Sequence, residues 1–148
     1  MNAAKSDAQD LLDILLPFAK QMLQQHQEFF PFGGRMVPDG TIAYVGATDG
    51  TEHPSSQPLI QLMQGAFREE ACTAALRTCG ILYDVRIIPP GHTEKKDAIA
   101  AAFDHVSGYS VVVFFPYYFD ESAQLQVDSP FASEGEYSIF GRPKAAKP

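Results

Sequence analysis

Ile81-Leu82-Tyr83-Asp84-Val85-Arg86-Ile87-Ile88 is the stretch around which the rest of the chain arranges itself. Ile81, Tyr83, Val85 and Ile87 alternate with Asp84 and Arg86, the period-two pattern of a half-buried β-strand. Just upstream, Leu59, Ile60, Met63, Phe67, Ala71 and Ala74 recur at helical spacing and predict an amphipathic helix. Ser55 or Ser56 is its expected cap, and Pro58 falls in the first turn, where a missing N–H costs nothing. Gly80 reads as the glycine stop that hands the helix to the strand.

Downstream, Pro89-Pro90-Gly91 breaks the strand and opens a polar loop through Lys96. Asp97 to Asp104 is rich in alanine, which favours helix. The Ser107-Gly108 turn and the Val- and Phe-dense run Tyr109 to Phe115 instead make it one arm of a hairpin, and strand is the reading taken. The Tyr109 to Phe115 composition suits a central strand buried on both faces. Glu136 to Phe140 is expected to add a last edge strand.

At the other end, Ser6 followed by Gln9 resembles a capping box and predicts a helix from about residue 7. Leu11, Leu12, Leu15, Leu16, Ala19, Met22 and Leu23 form its apolar stripe, with a kink or break expected before Pro17. Arg35 to Val37, the turn Pro38-Asp39-Gly40 and Thr41 to Gly46 read as a β-hairpin. Ala47 to Ser56 reads as a surface loop.

The order of helix, two strands, helix and three or four strands predicts an α+β fold. The expected form is a two-layer sandwich, with an antiparallel sheet of about five strands and both main helices on one face. Residues 1–148 are expected to form one domain, with 1–5 and 142–148 frayed. This order resembles that of profilin-like and roadblock-like domains, a likeness of topology that carries no activity with it. Phe29-Phe30-Pro31-Phe32 leading into Asp39-Gly40, with Gly108-Tyr109 and Pro116-Tyr117, also resembles small bacterial single-domain proteins.

Of 148 residues, 18 are acidic and 11 basic, a formal net charge of −7. Such a field repels phosphate backbones and anionic lipid, so neither nucleic acid nor a membrane surface is an expected partner; it would suit a basic protein or a cationic ligand, but solubility alone is the reading taken of the charge. Met1 to Asp13 places one lysine and three aspartates before any apolar run, unlike a secretory leader, and no apolar run approaches the ~20 residues of a membrane helix. Cys72 and Cys79, placed on one helix about 10 Å apart, are too distant to pair. A cytoplasmic setting is the expectation.

His26, His53, His92 and His105 are scattered, without the spacing of a metal site, and neither metal nor cofactor is expected. No glycine pattern makes a phosphate loop. Asp104-His105 beside Ser107 contains the residue types of a nucleophile, base and orienter, but neighbours on a turn point apart, so turn chemistry is the reading. Glu69-Glu70 reads as a solvated face.

Aromatics run into acids at Tyr117, Tyr118, Phe119, Asp120 and Glu121, a composition common to interface cores and rims, although the rings by themselves read more readily as finishing the core beneath the loop to Tyr137. These five are the expected contact residues of a non-enzymatic protein-interaction domain, regulatory or immunity-like, that binds a protein partner or itself as a homodimer. The alternative is a small-ligand sensor or enzyme with a pocket near residues 48–56, using Asp49 and His53.

Overall fold

The computed structural model describes residues 3–46 and 55–141. Helix α1 spans Ala3–His26, and its stripe of Ala8, Leu11, Leu15, Ala19 and Leu23 is buried. It begins before the expected cap, so Ser6 lies inside it; residues 3–5 are helical rather than frayed, and Ala4 is buried. Pro17 does not end the helix. Pro17 and Asp13, four residues earlier, both lie on the exposed side, where a carbonyl without a helical donor can meet water.

Strands β1 (Phe32–Met36) and β2 (Ile42–Val45) form the expected hairpin, and helix α2 follows at Ser56–Cys72. It stops well before Gly80. The N–H of Ala75 reaches the Glu70 carbonyl and that of Ala74 the Ala71 carbonyl, with Ala74 left-handed at φ 59°. Alanine thus fills the position where glycine is usual. Gly80 belongs instead to β3 (Thr78–Ile87), where a Cβ would come within 2.6 Å of the Phe103 ring. Cys79 is on that strand too, buried, while Cys72 ends α2 exposed; both are free thiols.

Strands β4 (Lys96–His105) and β5 (Ser110–Phe119) follow, so the alanine-rich stretch is a strand. β6 (Leu125–Val127) and β7 (Phe131–Glu134) are short. The last strand lies at 131–134, not 136–140, where residues 138–140 form a turn.

All pairings are antiparallel, in the order β2-β1-β3-β4-β5-β6, with β7 also on β5. The fold is α+β, and the described residues form a seven-stranded antiparallel sheet and two helices. The helices do not share a face. Leu82, Ile99, Ala101, Phe103, Phe115 and Tyr117 pack with α1, whereas Cys79, Ile81 and Tyr83 pack with Ile60, Met63 and Phe67 of α2. These two sets alternate along β3 and so point to opposite sides, which makes three layers instead of two.

The physical reason is in the strand order. β2 and β3 are both antiparallel to β1 and hence parallel to each other, so α2 is a crossover that must leave the sheet plane. It occupies the face that α1 leaves open.

Candidate binding groove

α1 runs over β1, β3 and β4, whereas α2 reaches only β1 and β3. Among the described residues no helix therefore lies over the α2 side of β4 and β5. Alternation places Ala100, Ala102 and Asp104 of β4 and Ser110, Val112 and Phe114 of β5 on that side, in register with Tyr83 and Ile81 of β3. The alanines are short, and above them lies a groove of about 340 Å³. Gln57, Ile60 and Gln64 of α2 make one wall, and residues 133–136 with Ser138 make the other. β5 is composed as a strand buried on both faces, yet Val112 and Phe114 are only partly covered.

The second wall is held by backbone bonds. Gly135 N–H donates to the Ser110 carbonyl at 3.1 Å, Tyr137 N–H to Ser110 Oγ at 3.1 Å, and Arg68 Nε to the Ser138 carbonyl at 2.7 Å. Gly135 must be glycine here, because a Cβ would sit 2.1 Å from Ser110 Oγ. Tyr137 Oη donates to Glu134 Oε2 at 2.6 Å and fixes that carboxylate on the rim.

At the closed end Asp104 is buried, receiving long hydrogen bonds from Ser110 Oγ at 3.3 Å and Ile139 N–H at 3.4 Å. Burial pushes its carboxyl above the ordinary aspartate value, against those two bonds. Tyr83, on the groove floor, is raised first by burial and then by the Glu136 charge. Asp104, Glu134 and Glu136 line the groove, and no Lys, Arg or His is among the described residues that do. The groove therefore offers negative charge over an apolar floor.

The aromatic and acidic stretch singled out in the sequence does not lie on one surface. Tyr117 is 6% exposed and belongs to the α1-side core, its hydroxyl donating to Asp84 Oδ1 at 2.7 Å. Burial and this bond raise the tyrosine, while Asp84 is raised by burial first. Phe119 packs against the same core, and Tyr118, 53% exposed, faces the other way. Asp120 folds the β5–β6 turn, Oδ1 accepting the N–H groups of Ser122 and Gln124 at 2.8 and 3.0 Å. Glu121 is exposed in that turn, so Tyr118 and Glu121 are what this stretch leaves open to a partner. Asp49 and His53 lie outside the described residues.

His105 and Ser107 do meet, contrary to the reading that neighbours on this turn diverge. Ser107 N–H donates to His105 Nδ1 at 3.0 Å, which leaves Nε2 as the protonated nitrogen donating to Asp7 Oδ2 at 2.7 Å; Ser107 Oγ lies 2.8 Å from Nδ1. The third member is thus Asp7 of α1, not Asp104, and Arg77 grips it with two bonds of 2.8 Å. Burial alone would raise Asp7, but the hydrogen bonds from His105 and Arg77 and the charge of Arg77 outweigh it and hold the carboxyl below its usual value.

Acyl transfer by a serine–histidine–aspartate relay draws on donors beside the serine that are free to hold the oxyanion, often backbone N–H groups. Here the amides of Val106, Ser107 and Gly108 are already spent on the Arg77 carbonyl, His105 Nδ1 and the His105 carbonyl. Its bonds clasp α1 to the ends of β3 and β4. Among the described residues no three His, Cys, Asp or Glu side chains converge as a metal site, and no helix is long and apolar enough to cross a membrane.

Comparison with protein-family models, with curated proteins and with solved structures finds no match.

Proposed function

We propose that this chain is a non-catalytic protein-binding domain whose groove between α2 and residues 133–138 receives a basic side chain, lysine or arginine, of a partner protein. One observation carries the reading: the face of β4 and β5 that α2 leaves uncovered sets an apolar floor beside the buried Asp104 carboxylate and the Glu134 and Glu136 rim, and no Lys, Arg or His is among the described residues that line it. A long cationic side chain suits such a site, because its methylenes cover Ala102, Val112 and Phe114 while its head reaches the carboxylates.

A regulatory or immunity-like role and a cytoplasmic setting fit the net charge of −7 and the free thiols. The same charge disfavours nucleic acid and anionic membranes as partners. A small organic cation would meet the same chemistry; the open trough along the sheet favours a side chain carried on a protein.

Calorimetric titration with a short arginine-containing peptide and its glutamate counterpart tests the reading. Binding of the basic peptide alone, weakened about tenfold or more by Asp104→Asn, is expected. Equal affinity of wild type and Asp104→Asn would contradict it.

A further inference from the structure

Two aspartates are buried at the same end of the sheet, on opposite faces, and their surroundings differ. Asp7 takes hydrogen bonds from Arg77 and His105 at 2.7 to 2.8 Å, so a cation shares its charge. Asp104 receives neutral donors at long range, Ser110 Oγ at 3.3 Å and the Ile139 N–H at 3.4 Å. None of the ion pairs among the described residues includes it.

An ionised carboxylate buried without a cation is costly, and two long bonds from neutral groups offset little of that cost. Such a group is relieved by a proton or by a cation. Asp104 lines the groove, so either can reach it from the same side.

The other groups facing this end leave the choice to carboxylates. Cys79, opposite Asp104 on β3, and Tyr83 on the floor are both raised, first by burial, and stay uncharged in weakly acidic and neutral medium. On α2, Arg68 is bound to the Ser138 carbonyl and Glu70 to Arg35. Arg77 and His105 turn to Asp7 on the far face. Glu134 and Glu136 on the rim add negative charge that draws a proton or a cation inward alike.

Resting on the reading of the groove as the seat of a basic side chain, we infer that the groove exchanges a proton at Asp104 for that cation. In weakly acidic medium the empty groove holds the proton on the Asp104 carboxyl, and an entering lysine or arginine head displaces it to solvent. Proton and cation compete, so affinity is level above the pKa of Asp104 in the empty groove and falls below it by up to about tenfold per pH unit. The groove thus holds its partner at neutral pH and releases it on acidification.

The test is calorimetric titration with an arginine-containing peptide blocked at both ends, at about pH 5 and about pH 7.5, in buffers of different ionisation enthalpy. Release of part of a proton per bound peptide is expected at the lower pH and none at the higher, with the release lost in Asp104→Asn. Peptide binding without proton release at the lower pH, or equal release from Asp104→Asn, would overturn the exchange and leave the groove reading standing. No binding at either pH would remove both. In the unmodified protein without peptide, the carbon-13 shift of the Asp104 carboxyl should titrate above the ordinary aspartate value, as burial directs. Titration at or below that value would overturn the inference even if Asp104→Asn fails to fold.

Discussion

α1 and α2 cover opposite faces of one sheet, and they cover them unequally. On the α1 side a 24-residue helix meets large side chains, Leu82, Ile99, Phe103, Phe115 and Tyr117, which are buried, and a groove of about 420 Å³ remains only at its margin, between Leu12 and Leu16 of α1 and Val113 and Phe115 of β5. On the α2 side a 17-residue helix closes only over β1 and β3, and where it ends β4 shows alanine and then a buried aspartate. The first face holds the fold together. The second retains space, charge and half-buried valine and phenylalanine, which is the composition of a surface kept for something else.

The largest expected effect tests the core beneath α1. Leu15→Ala empties a fully buried site between α1 and the sheet and should cost about 3 kcal/mol in denaturant unfolding, whereas Val112→Ala in the groove should cost about 1 kcal/mol or less. Equal losses would erase the difference between the faces.

Asp7→Asn comes next, since it leaves Arg77 and His105 without their shared carboxylate; a loss of about 2–3 kcal/mol near neutral pH is expected. Asp7 has a folded pKa below its unfolded one, so the stability it adds is complete above the unfolded pKa. That stability is lost as pH falls through the folded pKa, and the cost of Asp7→Asn should shrink with it in unfolding series run at successive pH values.

Asp104 behaves oppositely, because burial raises it: ionising it costs stability as pH rises from the unfolded toward the folded pKa. Asp104→Asn should therefore change neutral-pH stability by no more than about 1 kcal/mol, read by the same unfolding series, even though it removes the groove's buried charge. Smallest of all, Ala74→Gly should stabilise by about 0.5 kcal/mol in the same unfolding measurement, by relieving a left-handed alanine at the end of α2.

The alternation of Ile81 to Ile87 and the apolar stripe of α1 were legible because each is a local periodicity. Gly80 misled because close approach of Phe103 demands glycine as surely as a helix stop does, and the sequence shows only the glycine. The placement of α2 depends on which strands become neighbours, a long-range fact that short connections do not reveal. Ser107 and His105 lie two apart, but their partner is 98 residues away, beyond any motif. The groove draws on α2, β4, β5 and residues 133–138, and only two local signs of it existed: the alternate positions Ala98, Ala100, Ala102 and Asp104, and a β5 apolar on both faces. Tyr117 to Glu121 looked like a surface because composition does not tell which alternate ring turns inward.

The most direct test is to follow backbone amide shifts by nuclear magnetic resonance while an arginine-containing peptide is added. The account predicts saturable shifts at Ala102, Val112, Ser133 and Glu134, absent with the glutamate peptide. Shifts spread over the acidic surface, or gathered at Tyr118 and Glu121 with the groove silent, would contradict it.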